Sequence, residues 1–267
     1  MIHIKNEIWN AFHKIREKKP LICNLTNSVV MNTTANAQLA IGASPIVSQS
    51  IDEIEEIVQK SDCLLINIGT LEQKSIELFK KAIKVANRNE VPIVIDPVGA
   101  GFTKFRTRTM QELLEMSEPT LIRGNAAEMM ALAGSEPLMK GVDSLERTES
   151  ALDSLTELSH TYDCVLSASG ETDVVVKGDK LAYIGNGTLD ATLVTGMGCI
   201  ATAVSAAFIA IMEDDYSAAI GAMAIMGVCE EAARQHSHGP GSFYVAFIDA
   251  LYTLKEEEFY HMLRIQL

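Results

Sequence analysis

The stretch Pro92-Ile93-Val94-Ile95-Asp96-Pro97-Val98-Gly99 is an apolar run that stops abruptly at an acid, a proline and a glycine. A run with no polar alternate leaves no face for solvent, which is how a strand reads when it lies between two helical layers. Residues 21–25, 63–68, 120–122 and 164–166 form similar runs rich in Val, Ile and Leu. Between these runs, the pattern predicts helices over residues 29–39, 52–59, 73–87, 107–116, 126–132 and 144–158. Such alternation implies an α/β fold with three layers: a mostly parallel central sheet and helices on both faces. Residues 173–177 and 180–183 flank Gly178-Asp179, a hairpin signal that adds an antiparallel edge. Residues 1–20 read as an amphipathic surface helix, and residues 242–264 as a closing helix.

The strand exits share a second regularity. Apolar runs end in polar or glycine residues: Asn24-Leu25-Thr26-Asn27, Asn67-Ile68-Gly69-Thr70, Asp96-Pro97-Val98-Gly99, Arg123-Gly124-Asn125 and Ser167-Ala168-Ser169-Gly170. One such cluster is an ordinary strand cap. In open parallel sheets, however, ligands bind at the carboxyl ends of the strands, so these clusters are expected to converge on one site.

Thr195-Gly196-Met197-Gly198-Cys199 then feeds the apolar, small-residue segment 200–208. Glycines let the chain turn sharply, and the first N–H groups of the following helix lack intrahelical partners and carry partial positive charge. Residues 196–199 therefore read as an anion turn with Cys199 beside the bound anion. The same spacing also serves as a plain tight turn.

Other residue types at the exits suggest further chemistry. Asp96 is fixed at the end of a buried strand, and Glu128 stands three residues after Asn125. Two carboxylates near a polyphosphate suit Mg²⁺, which keeps most of its waters. Asn125 and Glu128 also match a capping box. Arg123 can pair with phosphate oxygens, or form a surface ion pair, and Ser169 offers a hydroxyl beside a flexible glycine. His236 and His238 read as a helix end rather than a metal pair.

Bulk properties narrow the classes. The chain has 267 residues, 48% of them hydrophobic, enough for one α/β domain over residues 1–267. A net charge of -13, with no basic cluster denser than residues 14–19, argues against nucleic acid as a partner. The five cysteines, Cys23, Cys63, Cys164, Cys199 and Cys229, form no CxxC pair, so neither disulfides nor a zinc site is expected. No secretory signal is read at the N-terminus, and the apolar segments 191–212 and 218–229 read as core helices, not membrane spans. A cytoplasmic location is expected.

These residues resemble the bacterial hydroxyethylthiazole kinases, within the ribokinase-like superfamily. The resemblance runs through Leu25-Thr26-Asn27-Ser28-Val29-Val30-Met31-Asn32, Ile41-Gly42-Ala43-Ser44-Pro45, Ile66-Asn67-Ile68-Gly69-Thr70-Leu71, Asp96-Pro97-Val98-Gly99-Ala100-Gly101, Arg123-Gly124-Asn125-Ala126-Ala127-Glu128, Thr195-Gly196-Met197-Gly198-Cys199 and Gly239-Pro240-Gly241-Ser242-Phe243. It implies transfer of the ATP γ-phosphoryl group to the alcohol of 4-methyl-5-(2-hydroxyethyl)thiazole, in thiamine salvage. By the same resemblance, Asn27, Val29, Val47, Gly69 and Gly196 contact thiazole, Arg123 and Ser169 contact ATP, and Asp96 and Glu128 lie near Mg²⁺. A homotrimer with sites between subunits is also implied. Val47 and Cys23 depart from the family pattern, which often has Met and His there.

An Asp usually occupies the position of Cys199 across the superfamily and accepts the alcohol proton. Cys199 is therefore expected to act as a weak general base or positioning group, with its pKa lowered by the helix N-terminus. Alternatives are a kinase for pyridoxal or hydroxymethylpyrimidine, the related dehydratase of hydrated nicotinamide nucleotides, a thiol hydrolase or acyltransferase with Cys199 as nucleophile, and a non-catalytic sensor.

Overall fold

The structure, a computed structural model, describes residues 2–134 and 144–267. Its elements run α1 (Ile2–Lys18), β1 (Leu21–Leu25), α2 (Met31–Ile41), β2 (Ser44–Val47), α3 (Ile54–Lys60), β3 (Cys63–Asn67), α4 (Gln73–Arg88), β4 (Ile93–Asp96), α5 (Lys104–Met116), β5 (Leu121–Asn125) and α6 (Ala126–Leu132). The order continues with α7 (Ser144–Tyr162), β6 (Val165–Ser169), β7 (Asp173–Lys177), β8 (Lys180–Ile184), a 3-10 turn (Leu189–Leu193), α8 (Met197–Ile209), α9 (Asp215–Gln235), α10 (Pro240–Thr253), α11 (Glu256–Met262) and β9 (Ile265–Gln266).

Among the described residues, one nine-stranded sheet runs β2-β1-β3-β4-β5-β6-β7-β8-β9. The pairs from β2 to β6 are parallel, and β7, β8 and β9 add the antiparallel edge. Alternate residues of each strand serve opposite layers, because successive side chains point to opposite faces. Ile22, Leu65, Val94 and Leu121 join a core with α1, α2, α8, α9 and α10, whereas Cys23, Leu64, Ile66, Ile95 and Ile122 join a core with α3, α4, α5 and α6. The sheet is thus covered on both sides, as the unbroken apolar runs imply. Among the described residues no helix is long and apolar enough to cross a membrane.

Three local expectations change. The edge strand β2 has no apolar-run signal, because Pro45 interrupts it; proline is tolerated there since only β1 pairs with this strand. Residues 242–264 do not form one helix. The chain leaves the helical region at Leu254, restarts at Glu256, and ends in β9, which pairs with β8. Finally, α1 is more than a surface helix: Ile8, Trp9, Phe12 and Ile15 are buried in the core it shares with α8 and α9.

Candidate active site

Parallel strands bring their carboxyl ends to one edge, and α8 starts at that edge. Gly196 stands at φ +88, where a Cβ would lie 2.7 Å from Val30 Cγ1. A side chain there would be strained and crowded, so glycine is what lets the turn close over α2. The N–H groups of Met197, Gly198 and Cys199 donate to no acceptor among the described residues; the first bond of the helix runs from Ile200 N–H to the Gly196 carbonyl. Gly196, Met197 and Gly198 line a cavity of about 710 Å³ together with Arg123, Ser169, Gly170 and Asp173.

Hydrogen bonds join four of the exits. Asn27 Nδ2 donates to Asn67 Oδ1 (2.8 Å), and Asn67 Nδ2 donates to Asp96 Oδ2 (2.8 Å) and to Cys199 Sγ (3.2 Å). Thr202, one turn into α8, donates to the same Asp96 oxygen at 2.7 Å. Arg123 Nη1 donates to the Gly198 carbonyl at 2.7 Å, while its Nε is buried without a partner. From the outer side, Arg106 donates to the carbonyls of Ile68, Gly69 and Val98, tying the β3 and β4 exits together. Asn27, Gly69, Asp96, Arg123, Gly196 and Cys199 thus gather in one place.

Burial dominates the electrostatics. Asp96 is pushed up to about 7 by burial, against the pull of Arg123 and with the Glu128 charge adding to the rise; hydrogen bonds from Thr202 and Asn67 oppose it. The Cys199 thiol is pushed up to about 12, first by burial and then by Asp96. This corrects the expected lowering at the helix N-terminus: desolvation and a neighbouring carboxylate outweigh the helix end and the two amide donors. Burial and the Asp96 charge thus favour the protonated thiol and weigh against a role as general base. Its neighbours Asn27 and Asn67 donate to the sulfur, so they do not form the base of a nucleophilic pair either.

Glu128 completes the capping box: its Oε2 accepts from Asn125 N–H (2.9 Å), and Asn125 Oδ1 accepts from Glu128 N–H (2.9 Å). Its Oε1 also accepts from Gly99 N–H at 2.8 Å, fixing the loop behind Asp96. Among the described residues no three His, Cys, Asp or Glu side chains form a metal cage. Two carboxylates close enough to interact nevertheless fit a Mg²⁺ that keeps its waters and is held mainly by phosphates. Ser169 ends β6 beside Gly124, and Val29 and Val47 lie at the surface near the β1 exit, 60% and 36% exposed. His236 closes α9, as a helix end.

Asn67, Thr202 and Arg106 were given no role by sequence reasoning. Asn67 carried a signal, a polar residue ending a fully apolar run; Thr202 could have been found four residues after Gly198, on the same helix face. Asp173 and Glu230, which also line the cavity, carried none.

Fold and site together define a protein of the ribokinase-like α/β class, in which strand exits meet the bare start of one helix. The sequence profile of the hydroxyethylthiazole kinase family matches residues 12–257. The hydroxyethylthiazole kinase of Brachyspira hyodysenteriae is 44% identical over 254 residues, 95% of this chain and 96% of that one. The solved structure of the hydroxyethylthiazole kinase protein from Pyrococcus horikoshii OT3 superposes with a TM-score of 0.90 at 35% identity, covering 98% of both chains. The chain belongs to the hydroxyethylthiazole kinase family and is an enzyme of that kind. The ADP complex of Bacillus subtilis pyridoxal kinase, 17% identical with a TM-score of 0.57 over 82% of this chain and 92% of that one, shares the fold.

Proposed function

We propose that the chain, one kinase domain over residues 1–267, transfers the γ-phosphoryl group of ATP to the primary alcohol of 4-methyl-5-(2-hydroxyethyl)thiazole, a salvage step towards thiamine. The observation that carries this reading is the row of unpartnered N–H groups at Met197, Gly198 and Cys199, of which Met197 and Gly198 line a cavity shared with Arg123 and Ser169. Phosphoryl transfer asks a protein for position and charge compensation more than covalent chemistry. The amides hold the terminal phosphate and stabilise charge that builds on its oxygens. Arg123 and Ser169 hold ATP. Asp96 and Glu128 would hold Mg²⁺, which would supply neutralisation of phosphate charge.

Asn27, Val29, Val47, Gly69 and Gly196 form the thiazole side. Cys199 positions the alcohol as a neutral thiol. Exposure of Val29 and Val47 supports a homotrimer in which a neighbouring subunit covers them. Five free cysteines support a reducing, cytoplasmic setting.

The deciding assay incubates the protein with ATP and Mg²⁺ and offers the thiazole alcohol, pyridoxal and hydroxymethylpyrimidine in parallel, with products read by mass spectrometry. The thiazole phosphate is expected as the dominant product. Preferential phosphorylation of another alcohol, or no ATP-dependent product, would overturn the assignment.

A further inference from the structure

We propose that Asn67 is a positioning residue of this reaction, a two-sided amide that holds the Asp96 carboxylate and the Cys199 thiol in one fixed relation; the role in catalysis rests on the kinase reading above. Asn67 closes β3, the strand between β1 and β4, and its side chain is buried. Oδ1 accepts from Asn27 Nδ2 at 2.8 Å and from Gly69 N–H at 2.9 Å, and Nδ2 donates to Asp96 Oδ2 at 2.8 Å and Cys199 Sγ at 3.2 Å. An amide has two donors and one oxygen with two lone pairs, so this set uses its whole capacity.

Chemistry fixes which way the amide faces. The Gly69 N–H can only donate, so the oxygen of Asn67 must meet it and the NH₂ must meet Asp96. A flipped amide would set nitrogen against N–H and oxygen against carboxylate. Among the described residues, Asn67 is the side chain that hydrogen-bonds both Asp96 and Cys199. Thr202 secures Asp96 from α8, and Asn27 reaches the sulfur at 3.6 Å. Because the sulfur accepts from two amides, its own proton is turned away from both.

No other short side chain does this. Aspartate at 67 would add a carboxylate against Asp96, which already feels Glu128. Serine has a single donor and cannot span both partners. Displacement of a reacting group by about 1 Å can cost on the order of a hundredfold in rate, which is why a shared donor at this point matters.

Asn67→Asp keeps the oxygen that Gly69 and Asn27 use and replaces the donor by a charge beside Asp96. Asn67→Ser, uncharged, is the second variant should the first not fold. Iodoacetamide labelling reports Cys199 selectively, since the other four cysteines are buried. In either folded variant, Cys199 labelling near pH 8.5 is expected to slow by about threefold or more, because loss of the donor disfavours the thiolate. The turnover number kcat for the thiazole alcohol is expected to fall about tenfold or more, with the ATP KM within about threefold.

A purely structural role gives the opposite labelling result: a loosened turn exposes Cys199 and the buried thiols, and labelling speeds up. Faster or unchanged labelling, or unchanged kcat, overturns the proposal. If the wild-type protein phosphorylates no thiazole alcohol, the kinase reading fails by itself, and the labelling rates still decide whether Asn67 holds the thiol.

Discussion

Arg123 grips the first turn of α8 from beneath, with Nη1 donating to the Gly198 carbonyl at 2.7 Å. The approach is close enough that a Cβ on residue 198 would stand 2.9 Å from that nitrogen. One guanidinium therefore shapes the anion turn and faces the cavity. Arg123→Ala should raise the ATP KM by about tenfold or more, and the thiazole KM by less. Arg123→Lys should not restore it, since an ammonium lacks the planar fork that bonds a carbonyl and a phosphate together. Equal rises in both KM values in steady-state kinetics would show that Arg123 does not read the nucleotide.

Gly196 gives a test of the turn itself. With φ at +88 and Val30 in the way, Gly196→Ala should lose roughly 1–3 kcal/mol of stability. Pairing it with Val30→Ala should return the steric part of that loss and leave the backbone part. Denaturant melts of the two single variants and the double variant measure the coupling, and strictly additive losses would rule out the crowding.

Because burial and the Asp96 charge push the Cys199 thiol up to about 12, no titration step from it is expected in the assay range. Cys199→Ala should keep the shape of the kcat profile between about pH 6 and 9 and lose only about three- to tenfold in height. Cys199→Asp should remain a working kinase. A titration step that disappears from the profile in Cys199→Ala would restore the thiol as a base.

Glu230 lines the cavity and is pushed up to about 7, by burial first and then by the Asp173 charge, with Glu231 adding and Arg123 opposing. A carboxyl raised in the folded state favours the fold while it is protonated, and that contribution is lost as pH rises from the ordinary glutamate range through about 7. Glu230→Gln should therefore be more stable than wild type by about 1–3 kcal/mol at pH 8 and by little at pH 4. Thermal melts at the two pH values check the sign; a larger gain on the acid side would contradict it.

The strands that carry the site were legible because burial on both faces leaves a compositional mark, as in residues 63–67 and 93–96. Strand β2 left no such mark: it is four residues long, contains Pro45, and is defined by pairing with β1. Asp96, Arg123 and Gly196 were found because strand exits and glycine turns are local patterns. Glu230 was not, since a carboxylate in the middle of α9 looks the same in sequence whether it faces solvent or a cavity. Val29 and Val47 are placed near the β1 exit, and their thiazole contacts remain part of the proposed function.

The sequence alone determined the order of most strands and helices, all but β2 and the broken C-terminal segment with β9, together with the edge at which ligands would gather and the glycine turn that opens α8, because periodicity and backbone freedom are properties of neighbours along the chain. Only the tertiary structure decided that Asn67 would stand between Asp96 and Cys199, and that the thiol would be neutral instead of activated. Both outcomes depend on which distant groups are brought within hydrogen-bond reach and how completely water is removed around them.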